Sequence, residues 1–142
     1  MNIQTNQKIS FCGDVCTECP RYVATIANDI NALKSCAELW FRLGFRSKVV
    51  DPEELKCLGC SKDMVCSNRI NDCEHLETIM NCGECDSFPC AKINAVFEKT
   101  DSIIKNCKDK CTESEYNVLC KAFFMKRQIL TEINVMHRNI NK

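Results

Sequence analysis

Cysteines two residues apart recur three times in this chain, at Cys16 and Cys19, Cys57 and Cys60, and Cys82 and Cys85. A C-x-x-C turn presents two thiolates to one tetrahedral ion, so this spacing limits the fold to one that brings such turns together around metal. Around the pairs lie Cys12, Cys66, Cys73 and Cys90, which makes ten candidate metal ligands among the fourteen cysteines of 142 residues. They fall into two blocks, Cys12 to Cys19 and Cys57 to Cys90.

Cysteine density of this kind suits either a disulfide framework or metal. Met1 to Lys8 is polar and lacks the apolar centre of a secretory signal. A reducing cytoplasm is therefore the expected compartment, and structural disulfides are rare there. No apolar run approaches the roughly 20 residues that span a bilayer. Lys and Arg together equal Asp and Glu, for a formal net charge of zero, so the electrostatic footprint of a nucleic-acid binder is missing. With four glycines there is little material for a phosphate cradle, and no nucleophile elbow or paired-acid constellation is present.

Hydrophobic periodicity predicts a mainly α chain of one domain over residues 1–142: a small irregular zinc-knuckle core, an N-terminal amphipathic helix, C-terminal helices and little β. Pro20 suits a helix start, and Val23, Ile26, Ile30, Leu33, Ala37, Trp40 and Leu43 then mark one helical face up to Gly44, a C-terminal cap. Cys36 lies inside this face and reads as a small buried residue. Asp51 to Glu54 reads as a turn or one helical turn. Between Cys57 and Cys90 regular structure should be sparse, with metal knuckles in place of an apolar core and a helical segment around Glu74 to Met80. Ile93, Val96, Phe97, Ile103 and Ile104 predict a further helix. Thr112 to Glu115 matches a capping box, opening one long helical pattern through Leu119, Phe123, Leu130, Ile133, His137 and Ile140. As a continuous rod of about 28 residues it would extend roughly 42 Å, packing across its own domain or against a partner.

Several ordered motifs resemble a known family. Ile9-Ser10-Phe11-Cys12-Gly13 is followed by Cys16, Cys19-Pro20 and Tyr22, and Glu38-Leu39-Trp40 continues the series. Asp51-Pro52-Glu53 precedes Cys57-x-Gly59-Cys60, and Asn81-Cys82-x-x-Cys85 precedes Phe88-Pro89-Cys90. Together these resemble the small cysteine-rich prokaryotic family called domain of unknown function 3795, over residues 9–97, which leaves residues 98–142 as a C-terminal helical extension. The resemblance implies a zinc-binding protein without an established activity. One departure stands out: Asn68 occupies a position where the family usually has a thiol, and His75 is a candidate substitute.

Four thiolates per ion allow several partitions. Cys57, Cys60, Cys82 and Cys85 have a zinc-ribbon spacing and form the preferred first site. Cys12, Cys16 and Cys19 would take Cys90 or Cys73 as a fourth ligand. A cross-braced set of Cys16, Cys19, Cys82 and Cys85 is an alternative, and Cys66, Cys73 and His75 could hold part of a third site. Zinc, at two or more ions, is the expected cofactor, and an iron–sulfur cluster is the alternative. Cys107, Cys111 and Cys120 stand outside the set.

The expected role is a zinc-structured binding or interaction module, more in keeping with a non-enzyme. It would engage a protein partner or a second copy through the C-terminal helix. An enzyme with an open site at Cys12, Cys16 and Cys19, served by Asp14 or Glu18, is the alternative class. A nucleic-acid binder using a stripe of Lys121, Lys126, Arg127 and Arg138 is a third.

Overall fold

The structure is a computed structural model that describes residues 7–60 and 70–140. The fold is mainly α, and among the described residues there is no sheet, only an isolated antiparallel bridge between Ile9 and Val15. No described helix is long and apolar enough to cross a membrane.

The first amphipathic stretch is not one helix. Helix α1 covers Pro20–Ile26 and α2 covers Ile30–Arg42. Between them Asn28 adopts φ 53°, a left-handed conformation that asparagine tolerates better than most residues. The Asp29 side chain then accepts a hydrogen bond from the Ala32 amide, capping α2. Periodicity alone ran across this break because both helices turn apolar residues to the same core. At the other end, Gly44 (φ 82°) completes a Schellman turn, with the Phe45 amide donating to the Trp40 carbonyl and the Gly44 amide to that of Phe41. The Asp51 carboxylate caps the short helix α3, Pro52–Leu55.

Helix α4 covers Ala91–Cys107, and α5 covers Glu113–Leu119 behind the expected capping box of Thr112 and Glu115. The anticipated C-terminal rod is interrupted. A π-helical turn over Cys120–Phe124 separates α5 from α6, Lys126–Ile140. A π turn leaves its carbonyls differently directed from those of an α-helix. Here the Ala122 carbonyl accepts a hydrogen bond from the Val15 amide, 2.8 Å away in the N-terminal loop. The break thus joins the two ends of the sequence, and α6 packs across its own domain.

Two apolar clusters result. Leu33, Cys36, Ala37, Trp40, Leu55 and Leu119 centre the first, where Trp40 meets Phe45 and Phe123 edge-on at 5.5 and 5.9 Å. Cys36 is buried there, as its place on the helix face suggested. Ile70, Leu76, Phe88, Ile93, Phe97 and Leu130 centre the second. The expectation that the Cys57–Cys90 stretch has no apolar core is therefore corrected. Its few large side chains are completed by α4 and α6, which lie outside that stretch. Regular structure in its described part is sparse, as expected: short 3-10 turns at Ile70–Asp72, Glu74–Glu77 and Cys82–Glu84.

Candidate metal centre

The first thiol neighbourhood is assembled from a tight loop and a distant turn. The Ser10 amide donates to the Asp14 carbonyl and the Gly13 amide to the Ser10 carbonyl, folding residues 10–14 back on themselves with Cys12 buried in the loop. A 3-10 turn, Cys16–Glu18, leads to Cys19 at the head of α1. Helix α1 then holds the segment that carries the second pair. Arg21 Nε donates to the Leu55 carbonyl, and the Cys57 amide donates to Thr25 Oγ1 at 3.0 Å. As a result Cys16 lies within electrostatic reach of Cys19, Cys57 and Cys60, and Cys19 within reach of Cys57. Cys12 joins from the side, within reach of Cys60.

The Cys57 turn is closed by a hydrogen bond to its own sulfur. The Gly59 amide donates to Cys57 Sγ at 3.4 Å, and Gly59 adopts φ 101°, which favours glycine. Lys8 Nζ donates to the Leu58 carbonyl at 2.9 Å, tying this turn to the N-terminal arm.

The second neighbourhood surrounds Cys82, whose thiol lies within reach of Cys90, Cys73 and Cys85. The Asn81 side chain accepts from the Gly83 amide, and the Cys85 amide donates to the Cys82 carbonyl, shaping this pair into a turn. Cys90 stands at the head of α4, and Cys73 precedes the Glu74–Glu77 turn. His75 Nδ1 is 3.5 Å from Cys85 Sγ. The Cys82 amide donates to the Phe11 carbonyl, so the two neighbourhoods are joined beside Cys12.

The grouping differs from the partitions that spacing suggested. Cys57 and Cys60 lie with Cys16 and Cys19, whereas Cys82 and Cys85 lie with Cys73 and Cys90. Sequence spacing ranks partners by separation along the chain, but here α1 decides by binding residues 55–57. Cys66 and Asn68 fall outside the described residues. Burial pushes the thiols of Cys12, Cys16 and Cys82 up to about 12, so in the metal-free chain they are neutral at pH 7. Burial also raises Cys19, opposed by the amides of Tyr22 and Arg21. Among the described residues, no three His, Cys, Asp or Glu side chains are drawn together tightly enough to hold an ion. Thiol and imidazole donors are types that many metals accept, while among the described residues the sulfurs are neighbours short of coordination geometry.

Two side chains at these sites escaped sequence reasoning. Lys126 is buried, with Nζ 2.8 Å from Asp14 Oδ1, and it faces Cys12 and Cys60. Burial disfavours its ammonium, yet the charge and hydrogen bond of Asp14 act against this, and its pKa stands above the usual lysine range. Asn134, also buried, donates to the carbonyls of Gly83 and Cys85. Both residues sit on the apolar stripe of α6, Lys126 three and four positions before Ile129 and Leu130 and Asn134 four after Leu130, and a polar residue on such a stripe was the available signal.

The four residues of the basic stripe are placed differently, with Lys121 exposed before α6. Lys126 is buried, Arg127 pairs with Asp101 at 3.1 Å, and Arg138 bonds Asn134 and the Phe88 carbonyl. Asp14 pairs with Lys126, and Glu18 is exposed. Cys107, Cys111 and Cys120 form a separate group beside Tyr116, in which Cys111 Sγ donates to the Cys107 carbonyl at 3.2 Å.

Residues 8–95 match the family described as protein of unknown function DUF3795. The chain belongs to that family. The match covers more than half of the chain and ends inside α4, so α5 and α6, including Lys126 and Asn134, lie beyond it. No curated protein and no solved structure matches the chain.

Proposed function

We propose that this DUF3795 protein is a cytoplasmic, zinc-structured interaction module, in which thiolate-bound zinc replaces part of the apolar core. The observation that carries the reading is the pairing of two C-x-x-C turns, Cys16/Cys19 with Cys57/Cys60, by hydrogen bonds from α1, together with the amide-to-sulfur bond inside the Cys57 turn. Cys16, Cys19, Cys57 and Cys60 would hold one ion, with Cys12 as an adjoining thiol. Cys73, Cys82, Cys85 and Cys90 would hold a second, with His75 as the alternate donor and Cys66 in reserve. Zinc bound in this way supplies folding free energy and no redox chemistry. Four-thiolate sets also suit an iron–sulfur cluster, so the test must distinguish the two. Protein purified without added metal should carry two zinc ions per chain by elemental analysis and show no visible absorption. A brown protein containing iron and sulfide, or a chain without metal, would remove this reading.

For the interaction role, α6 supplies the surface. Its inner face is buried against both thiol neighbourhoods, while Val135, Met136 and Ile140 remain 54%, 57% and 79% exposed. We infer that this outer face takes part in association with a protein partner or a second copy. Sedimentation of the zinc-loaded chain should show concentration-dependent self-association or capture of a specific partner, either of which Met136→Lys weakens. A strictly monomeric chain whose partner binding ignores that substitution would exclude α6 as the surface.

A further inference from the structure

Helix α6 lies outside the family match, yet it grips the backbone of the second knuckle. Asn134 Nδ2 donates to the Gly83 carbonyl at 3.0 Å and to the Cys85 carbonyl at 3.2 Å. Its own oxygen accepts from Arg138 Nε at 2.7 Å, and Arg138 also donates to the Phe88 carbonyl at 3.0 Å. The arginine is a donor only, so it fixes which end of the Asn134 amide faces the knuckle. The contact is close enough to exclude a side chain at residue 83. A Cβ on Gly83 would stand 2.8 Å from Ile133 Cβ and 2.8 Å from its Cγ2.

A peptide group is planar and trans, so binding a carbonyl on one side orients the amide on the other. The two carbonyls held by Asn134 belong to the peptide units on either side of the Glu84–Cys85 bond. Holding both sets the direction in which Cys85 leaves the backbone, and with it the placement of Sγ relative to Cys82. The neighbouring polar bonds of the turn, from the Gly83 amide to Asn81 Oδ1 and from the Met80 amide to Glu84 Oε1, shape its opposite end.

We infer that Asn134, oriented by Arg138, is a positioning residue that shapes the Cys82–Cys85 knuckle from outside the thiol cluster. For the metal-bound state this rests on the zinc reading above, but the geometry itself does not require metal. The geometry separates the role of Asn134 from simple packing. Asn134→Asp keeps the size of the side chain and its bond from Arg138, but it sets an acceptor against two carbonyl acceptors.

Hydrogen exchange in the full chain as purified, read by peptide, tests the proposal. In Asn134→Asp, exchange across residues 82–88 should rise by at least about tenfold, the scale expected from losing two buried hydrogen bonds. Exchange in α2, which packs in the other core, should stay within about twofold of the parent. Cobalt(II), used as a spectroscopic probe of thiolate coordination, should then fill one site fewer, or the second site more weakly, than in the parent. Asn134→Gln, which restores the donor on a longer stem, should recover part of the protection. Gly83→Ala should reproduce the loss from the other side of the contact. Unchanged exchange at 82–88 in Asn134→Asp, or an equal rise in α2, would overturn the role. If the parent takes up neither zinc nor cobalt while the exchange difference persists, the zinc reading fails and the positioning role stands.

Discussion

Removing the metal with a strong chelator should abolish amide protection across residues 8–19, 55–60 and 82–90, while α2 stays protected longest. The magnitudes make this the largest effect expected for the chain. One structural zinc in a small site contributes about 10–16 kcal/mol of apparent binding free energy, which becomes folding free energy. The whole stability of a domain is commonly about 5–15 kcal/mol. Two such ions would hold the segments that have the least regular structure, namely the N-terminal loop, the Cys57 turn and the Cys82 turn. Without them, the loops would retain hydrogen bonds between distant segments, such as Cys57 to Thr25 and Cys82 to Phe11. Helix α2 differs because Leu33, Ala37 and Trp40 are buried against Leu55 and Leu119. Hydrogen exchange before and after chelation separates these regions. Full protection after complete metal removal would contradict the structural-metal reading.

Gly13→Ala should destabilise the zinc-loaded protein by about 2–5 kcal/mol, judged from left-handed strain plus forced overpacking. Gly13 has φ 100°, which an L side chain adopts at a cost. Its missing Cβ also faces α6, where the added atom would stand 2.8 Å from Lys126 Cβ and 2.9 Å from Leu130 Cγ. Neither neighbour can yield readily, because Lys126 is held by Asp14 and Leu130 is fully buried. Gly44→Ala provides the control, since Gly44 has φ 82° and nothing within 4 Å of an added Cβ. It should cost only the conformational part, about 1–2 kcal/mol. Denaturant midpoints of the two zinc-loaded variants give the comparison. Equal losses would mean that the close approach of the Cys12 loop to α6 contributes little.

The two variants also show where sequence reading stopped. Gly44 was legible because a cap follows the last apolar position of a helix, and both facts are local. Gly13 carries the same backbone signature, but the atoms that require it come from residues 126 and 130, more than a hundred positions away. The break at Asn28-Asp29 was encoded in local cap chemistry, although the apolar spacing of α1 and α2 masked it. The π turn at Cys120–Phe124 had no comparable local mark. It is tied to the Val15 amide, which only the assembled fold brings to the Ala122 carbonyl.

By itself, the sequence determined the cysteine pairs, the mainly helical class and the family, because each rests on residue types at short fixed spacings. The tertiary structure decided which pairs meet. Cys57 and Cys60 lie beside Cys16 and Cys19 because Arg21 and Thr25 bind the intervening backbone, and Cys82 lies with Cys73 and Cys90 because α4 begins there. It also turned Lys126 inward, from an apparent surface stripe to a buried partner beside the first thiol neighbourhood, and buried Asn134 against the second. The physical reason is common to all of these: a thiol pair is a local turn, whereas a metal site is a convergence of turns, and convergence is set by long-range hydrogen bonds and packing.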